Sequence, residues 1–319
     1  MSRDVILITG GTGFAGSHLV EVLLASGETQ IHVTCQSGRG GFVSQLLPAD
    51  QIHELDLINF ETTANLIKRL QPNQIYHLAA TAAVGSSFNQ TRKILENHLE
   101  LQLSLLEAVR QFAPKSRILA IGSALEYDTT PTSPHLVIDE THPLGPVSPY
   151  AVSKAIQSLL ATSYVKTHRL DVVLARPFNH IGERQGLGFV VSDFAAQIVK
   201  IERGLQTEIR VGNLLAERDF TDVKDMVGAY QLLMHRGITG EVYNLGSGRA
   251  HSVQNILNWL KASALAPVVV VPDPLKFRPL DINSIIADND KVCALGWQPT
   301  EDIKPTVERI LAWWRTQKI

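Results

Sequence analysis

The stretch G-G-T-G-F-A-G at 10–16 lies between an apolar, β-branched run and an amphipathic segment. Strand, glycine-rich turn and helix in this order are typical of the first βα unit of a dinucleotide-binding domain. The glycines permit a tight turn and a close backbone approach, and the helix N-terminus offers N–H donors to a pyrophosphate. An ordinary tight βα turn is the alternative, but the position favours a dinucleotide site. The predicted contacts are Gly10, Gly13, Phe14, Ala15 and Gly16.

The first half of the chain repeats this alternation of strand and helix. The predicted strands are 5–9, 31–34, 52–56, 75–79, 117–122 and 171–176, and the predicted helices are 13–27, 60–70, 92–112 and 149–168. Strands that alternate with helices favour right-handed βαβ units. We therefore predict an α/β fold with a Rossmann-type, doubly wound parallel sheet.

After Arg176 the alternation becomes less regular. The predicted elements there are helices at 190–203, 222–236 and near the C-terminus, and strands at 208–211 and 241–245. We predict a nucleotide-binding domain from 1–176 with a contribution from 219–247. A smaller, discontinuous lobe from 177–218 and 248–319 would bind the substrate, because clefts between lobes are natural ligand sites.

Composition excludes several classes of function. The 319 residues include 29 basic and 31 acidic side chains, for a net charge of −2, so we expect neither a nucleic-acid nor a membrane partner. The N-terminus lacks the long apolar region of a secretory signal. Cys35 and Cys293 form no C-x-x-C pair, and the 11 histidines show no metal-binding spacing. A cytoplasmic protein without a metal is expected.

The end of the second strand bears on cofactor choice. NAD sites usually carry an acidic residue there for the ribose 2′-OH, but Thr34 stands at that position. Arg39, just beyond, is suited to a 2′-phosphate, although a solvated loop arginine is the alternative. The sequence thus favours NADP, with NAD as the second candidate. Asp56 would hydrogen-bond the adenine or cap the following helix, and Leu57 lies beside it.

Tyr150 and Lys154 stand four residues apart in a predicted helix, on one face. A free tyrosine has a pKa of about 10, and a nearby ammonium lowers it toward a useful range. Ser123 follows a predicted strand and precedes this pair. It begins an S-x-x-E sequence with Glu126, which also fits a helix-capping box. The three residues together favour a catalytic group over an exposed surface pair.

These residues resemble the extended short-chain dehydrogenase/reductase family, over nearly the whole chain. The resemblance rests on G-G-T-G-F-A-G, H-L-A-A at 77–80, Ser123 and Y-x-x-x-K. It implies that Ser123 hydrogen-bonds the reacting oxygen, Tyr150 exchanges the proton, and Lys154 tunes Tyr150 and binds the nicotinamide ribose. The cofactor channel would be lined by His77, Leu78, Ala79 and Ala80.

The second half is similar to reductases that act on GDP-4-keto-6-deoxymannose and form GDP-rhamnose. The similarity rests on R-P-F-N-H-I-G-E-R-Q-G, A-E-R-D-F-T-D-V and R-P-L-D. It implies a homodimer through 92–112 and 149–168. It also implies a nucleotide sugar held by Ser123, Glu126, Asn179, Arg218, Arg278 and Asp281. Glu183 departs from the pattern, because relatives commonly have proline there.

The residue types at positions 124 and 125, Ala124 and Leu125, favour a reductase over a dehydratase. Related 4,6-dehydratases carry carboxylates in the two positions after the hydroxyl residue, and these carboxylates perform the elimination. Alanine and leucine cannot transfer a proton. Glu126 lies one position further, and only a shift of the backbone would bring it into the site.

Two other functions remain as alternatives to a reductase. The protein could be a 4-epimerase that retains NAD, or a non-catalytic dinucleotide-binding protein.

Overall fold

The computed structural model describes residues 4–36, 38, 40–80, 88–130, 135–276 and 284–319. Within these ranges the strands are β1 Ile6–Thr9, β2 Ile31–Cys35, β3 Ile52–Glu54, β4 Gln74–His77, β5 Arg117–Ile121, β6 Leu136–Ile138, β7 Asp171–Pro177, β8 Asn179–Ile181, β9 Glu208–Val211, β10 Glu217–Asp222, β11 Val242–Leu245, β12 Ala250–Ser252, β13 Val269–Pro272 and β14 Ser284–Ala287. The α-helices are α1 Phe14–Ala25, α2 Phe60–Leu70, α3 Thr91–Phe112, α4 Pro149–His168, α5 Val190–Glu202, α6 Val223–Arg236, α7 Val253–Ala262, α8 Asp290–Cys293 and α9 Ile303–Thr316.

The larger sheet in the described chain is parallel throughout and has the order β11-β7-β5-β4-β1-β2-β3. The strand order reverses between β1 and β4, and ligands of doubly wound sheets bind at the carboxyl ends of the strands at such a point. Gly10 follows β1 and Leu78 follows β4, so both lie at this crevice. The predicted α/β fold with a Rossmann-type parallel sheet is confirmed.

Both faces of this sheet are covered by helices because the side chains of each strand point alternately to the two faces and are apolar on both. Ile6 and Ile8 pack in one apolar cluster with residues of α1 and α6, whereas Leu7 packs in another with residues of α2, α3 and α4. Successive side chains of a strand point to opposite faces, so an apolar run such as I-L-I is stable only between two helical layers.

A second sheet lies in the other part of the molecule. Its order is β12-β10-β14-β6, with β8 paired to β10, and β9 pairs separately with β13. The strand β6 belongs to the range 1–176, yet it pairs with β14 rather than with the large sheet. The sequence prediction contained none of β6, β8, β10, β12 or β14, which are short and partly polar. Helices α5, α7 and α9 cover this region with a separate apolar cluster.

The described ranges contain no helix that is both long and apolar enough to cross a membrane. In the same ranges, His, Cys, Asp and Glu side chains do not gather into a group of three or more that could ligate a metal ion.

Candidate active site

The glycine-rich turn after β1 forms an open cradle at the crevice. Gly10 has a φ of +68°, and a Cβ there would lie 2.9 Å from the Cα of Ala79. Gly13, which has no side chain, is the N-cap of α1, and its N–H donates to the carbonyl of Gly10 at 3.0 Å. The helix therefore presents its first N–H groups toward the crevice without a capping side chain from Gly13. These features fit the pyrophosphate of a dinucleotide.

The sequence suggested that Thr34 stands at the end of β2, but the structure places it one residue before the end. The strand continues to Cys35, and Thr34 is only 1% exposed. Its Oγ1 accepts a hydrogen bond from the N–H of Gly10 at 3.2 Å, so this side chain supports the glycine turn. The exposed residue beyond the strand is Gln36. The prediction for Arg39 falls outside the described residues.

Asp56 is exposed beyond β3, and its Oδ1 accepts from the N–H of Ile58 at 3.1 Å. The alternative that Asp56 caps α2 is wrong, because the cap is Asn59, whose side chain accepts from the N–H of Thr62. Leu57 is buried. Asp56 is therefore held by a local turn with its side chain at the surface.

The segment after β4 forms the other wall of the crevice. The N–H of Leu78 donates to the carbonyl of Thr9 at 3.2 Å, and the N–H of Ala79 donates to its Oγ1 at 3.3 Å. His77 is buried, with Nδ1 at 2.7 Å from Thr9 Oγ1. Burial, followed by the neighbouring Lys154, lowers the pKa of His77 to about 3, so this ring is neutral. Leu78, Ala79 and Ala80 are partly exposed.

Lys154 lies in the second turn of α4, a helix that begins with Pro149 after the capping side chain of Ser148. The lysine is 4% exposed, and its Nζ donates to the carbonyl of Ile121 at 2.8 Å. Burial lowers the pKa of Lys154 from 10.5 to about 8, against an opposing effect of Glu126. The ammonium is therefore still charged at neutral pH, although burial disfavours it.

Tyr150, one turn earlier, remains partly exposed at the crevice. Burial, aided by the charge of Glu126, raises the pKa of Tyr150 to about 12, while a hydrogen bond with Ser123 lowers it. The sequence suggested a lowered value, but the ammonium of Lys154 is directed to the Ile121 carbonyl. The phenol is thus protonated at neutral pH and suited to donate a proton.

Ser123, which the sequence favoured as a catalytic residue, also forms the capping box that was the alternative. It is the N-cap of a 3-10 turn at Ala124–Glu126, where its Oγ accepts from the N–H of Leu125 at 3.2 Å. The Glu126 carboxylate accepts in return from the N–H of Ser123 at 2.7 Å, which completes a capping box. The same serine hydrogen-bonds Tyr150. The box therefore orients the hydroxyl at the end of β5.

Glu126 was predicted among the substrate contacts, but the structure places it beneath the site. Its side chain is 0% exposed, and Oε2 accepts from Nε of Arg176 at 2.9 Å. The guanidinium of Arg176 also lies over the ring of Tyr127, 4.6 Å from its centre. Because the carboxylate is turned inward, it does not reach the open crevice. Arg176 itself was not predicted as a site residue, and only its position at the end of a buried strand singles it out.

The predicted sugar-nucleotide residues are distributed over the second sheet. Asn179 is exposed on β8, which pairs with β10, and Arg218 lies on β10 with Nη1 at 2.7 Å from the carbonyl of Glu217. The structure thus brings Asn179 and Arg218 onto neighbouring strands. Arg278 and Asp281 lie outside the described residues.

The loop that contains Glu183 connects β8 to the helices on both sides. Glu183 accepts from Nε of Arg309 at 3.1 Å, and its carbonyl lies 2.9 Å from Nε2 of His18 on α1. Arg184 has a φ of +71° and donates to Ser17 at 3.0 Å. The ion pair with Arg309 depends on the glutamate side chain, and it helps to hold the loop where the sequence departs from the related pattern.

A further contact that the sequence did not suggest holds the start of α4. Ser153 Oγ donates to the carbonyl of Tyr150 at 2.7 Å, and Nδ1 of the buried His98 lies 2.8 Å from the same Oγ. The rings of His98 and Tyr150 meet edge to face. Because these residues come from α3 and α4, only the packing of the two helices reveals the contact.

Comparison with known proteins agrees with this fold. The family described as GDP-mannose 4,6 dehydratase matches residues 7–310. GDP-6-deoxy-D-mannose reductase from Pseudomonas aeruginosa is 30% identical over 314 residues, which cover 98% of this chain and 97% of that protein. The structure of RMD from P. aeruginosa complexed with NADPH has a TM-score of 0.85 at 30% identity and covers 98% of this chain and 99% of its own. UDP-glucose 4-epimerase from Thermus thermophilus in complex with NAD has a TM-score of 0.85 at 27% identity, with 98% and 99% coverage.

The fold and the site define an NAD(P)-dependent oxidoreductase of the extended short-chain dehydrogenase/reductase type. Within that class, the chain belongs to the GDP-mannose 4,6-dehydratase family.

Proposed function

We propose that the protein reduces the C4 keto group of a GDP-4-keto-6-deoxyhexose, converting GDP-4-keto-6-deoxy-D-mannose to GDP-D-rhamnose. The observation that carries this proposal is that Ser123 meets Tyr150 at the crevice, while Ala124, Leu125 and the buried Glu126 offer no base there. Tyr150 keeps its phenol proton at neutral pH, and the oxyanion formed at C4 by hydride transfer is a stronger base than a phenolate, so the phenol can protonate it. Ser123, held by its capping box, would hydrogen-bond the same oxygen.

Elimination of water is not supported by the residues that follow Ser123. Ala124 and Leu125 carry no proton-transferring group, and the Glu126 carboxylate is buried against Arg176. A dehydratase needs a base that reaches the sugar. The similarity to a GDP-6-deoxy-D-mannose reductase over 98% of the chain further supports reduction.

NADPH is the proposed cofactor, and it would supply the hydride to C4. The cradle formed by Gly10, Gly13 and the N-terminus of α1 suits its pyrophosphate, with Phe14, Ala15 and Gly16 in the same turn. Lys154 would hold the nicotinamide ribose. The absence of an acid in the sequence from Thr34 to Arg39, and the NADPH in the related RMD, support NADPH over NADH.

The sugar nucleotide would lie between the carboxyl ends of the large sheet and the second sheet. Asn179 and Arg218 are the proposed contacts from the described chain, and Arg278 and Asp281 are proposed from the sequence. An arginine fork makes two parallel hydrogen bonds to a diphosphate, which suits Arg218 to this task.

The test is to supply GDP-4-keto-6-deoxymannose with NADPH, follow the absorbance of NADPH, and identify the sugar product by NMR. The proposal predicts consumption of one NADPH per sugar and a product reduced at C4. An epimerase with retained NAD would change C4 without net oxidation of NADPH. Turnover of UDP- or dTDP-sugars instead of the GDP-sugar would contradict the proposed substrate.

We also propose that the protein is a cytoplasmic homodimer. Helices α3 and α4 pack side by side, and Leu159 on α4 is 60% exposed, which supports an interface on this helical pair. Cys35 and Cys293 are free thiols, as suits a reducing compartment. Sedimentation of the wild type and of Leu159→Glu tests the dimer. A monomeric wild type, or a variant that sediments unchanged, would contradict the proposed interface.

A further inference from the structure

The capping box at Ser123 has an unusual second member. Glu126 is a fully buried carboxylate, and its contacts come from different elements. Oε1 accepts from the N–H of Ser123 at 2.7 Å, Oε2 accepts from Nε of Arg176 on β7 at 2.9 Å, and the hydroxyl of Ser158 on α4 hydrogen-bonds the same group. The carboxylate is therefore held in one place from three sides.

Gly122 makes room for this carboxylate. A Cβ at position 122 would overlap Oε1 of Glu126 and would lie 3.1 Å from Oγ of Ser158. A glycine is thus required here by the close approach of the carboxylate. The sequence G-S-A-L-E accordingly works as a unit, in which the first residue leaves the space that the last one fills.

The position of Glu126 matters because its negative charge affects the pKa of two catalytic candidates on α4, Tyr150 and Lys154. Glu126 raises the pKa of Lys154, against the burial that lowers it, and it raises the pKa of Tyr150. A buried ammonium with an anion nearby keeps its proton to a higher pH than one without.

Other charged or titratable groups also face this part of the site. Arg176 on β7 faces Glu126, His77 on β4 faces Lys154, and Tyr230 on α6 faces Tyr150. The pKa of His77 is about 3, so its ring is neutral at the pH values of interest. Among these groups, Glu126 is the carboxylate whose charge acts on Lys154.

We propose that Glu126 is a positioning residue for the reduction, which fixes Ser123 against Tyr150 and places a negative charge beside Lys154, one helical turn from its partner Ser158 on α4. This inference rests on the proposed function for its catalytic consequence. Glu126 acts through Ser123 and Lys154 and does not itself touch the substrate. Its two tasks are separable, because the first needs a hydrogen-bond acceptor and the second needs a negative charge.

Two variants separate these tasks. Glu126→Gln keeps an acceptor for the N–H of Ser123 but removes the charge, so kcat on the acidic plateau should stay within about threefold of wild type. Its alkaline limb should move to lower pH by at least about 0.5, since an opposite charge at short range shifts a pKa by about 1–3 and Arg176 offsets part of that. Glu126→Ala removes the acceptor as well and should lower kcat at least about tenfold at every pH, with little change in the KM of the sugar nucleotide.

The titration of Lys154 is read directly, without substrate, from the NMR signal of 13C-labelled lysine in the full-length protein. Lys154→Met assigns the signal. The midpoint near pH 8 should fall in Glu126→Gln by the same amount as the alkaline limb. Because Arg176 loses its partner in that variant, the double variant Glu126→Gln/Arg176→Met, which lacks the whole ion pair, is measured as well. Its midpoint should also lie below that of wild type, but by a smaller amount, because the positive charge of Arg176 is removed too. The matched control is Glu107→Gln, which breaks a different contact, with Arg110 and Tyr164, and should leave the Lys154 midpoint unchanged.

A Lys154 midpoint that is the same in wild type, Glu126→Gln and the double variant would overturn the proposal. Equal loss of kcat in Glu126→Gln and Glu126→Ala at all pH values would also overturn it. If the midpoint falls as expected but the wild type turns over no 4-keto sugar nucleotide, the proposed function fails while the coupling of Glu126 to Lys154 stands.

Discussion

Replacement of Lys154 by methionine should make the folded protein more stable at neutral pH. The ammonium is 4% exposed, and burial lowers its pKa from 10.5 to about 8. That difference corresponds to about 3 kcal/mol of stability lost at pH 7, at 1.36 kcal/mol per pH unit. Methionine has a similar length and no charge, but it also loses the hydrogen bond to the Ile121 carbonyl, worth about 1 kcal/mol. The expected net gain is about 2 kcal/mol.

The sign of the pH dependence follows from the lowered pKa. Below pH 8 the amine of Lys154 is charged in both states, and the full penalty applies. Between pH 8 and 10.5 the unfolded chain holds a proton that the folded protein has released, so the free energy of unfolding of the wild type rises with pH. The advantage of Lys154→Met should therefore shrink across this window and reverse to about −1 kcal/mol near pH 10.5, where only the lost hydrogen bond remains.

The assay is urea unfolding of both proteins at pH 7, 8, 9 and 10, followed by circular dichroism. Other groups titrate equally in both proteins, so the difference between them isolates Lys154. Lys166→Met, at an exposed position of the same helix, is the control, and its difference from wild type should not change across this window. A Lys154→Met protein that is less stable at pH 7, or a difference that stays constant with pH, would refute the reasoning.

Three further predictions concern activity and cofactor binding. Tyr150→Phe should lower kcat at least about a hundredfold, because it removes the proton donor, and its melting temperature should stay near that of wild type; near-normal turnover would contradict the assigned role. The wild-type kcat should fall above about pH 8 as Lys154 loses its proton, whereas Tyr150 keeps its own up to about pH 12; a kcat that is flat to pH 10 would contradict this. Gly10→Ala should abolish NADPH binding measured by calorimetry, because the new Cβ meets the backbone of Ala79. The control is Gly204→Ala, which has a similar φ of +69° but open space around it, and it should lower the stability of the protein without affecting NADPH binding. Equal loss of binding in both glycine variants would argue against the cradle.

Periodicity was sufficient to predict the large sheet. Runs such as V-I-L-I at 5–8 and I-L-A-I at 118–121 are apolar at every position because both faces of a parallel sheet are covered. The glycine turn after β1 then identified the crevice. The strands of the second sheet are three to six residues long and partly exposed, so they carry little periodic signal, and their pairing depends on contacts between distant segments such as β6 and β14.

The part of the candidate site that could be predicted from the sequence is the part whose residues lie close together in the chain or follow a predicted strand. Tyr150 and Lys154 share a helix face, and Ser123 lies two residues beyond the end of β5. Their protonation was less accessible, because it depends on burial and on which partner each group meets. The ammonium of Lys154 binds the Ile121 carbonyl and leaves the pKa of Tyr150 raised rather than lowered.

Glu126 illustrates the limit of reading a short motif. The spacing S-x-x-E fits a capping box, and the structure contains this box at Ser123. The setting after a buried strand fits a catalytic serine, and that role stays a prediction. The partner of Glu126, Arg176, is 50 residues away in the chain. Only the pairing of β5 with β7 brings them together, so the inward direction of the carboxylate follows from the fold.

The most direct test of the central claim is to follow the hydrogens at the sugar. GDP-4-keto-6-deoxymannose is reduced in ordinary water with NADPH deuterated in the transferred position, and separately in D2O with unlabelled NADPH, and each product is examined by NMR. Reduction at one carbon predicts that the product made with deuterated NADPH in ordinary water carries deuterium at C4. The product made with unlabelled NADPH in D2O should carry no enzyme-transferred deuterium on C4 or on C5. Deuterium taken up from solvent at C5, or a product without cofactor deuterium at C4, would contradict the account.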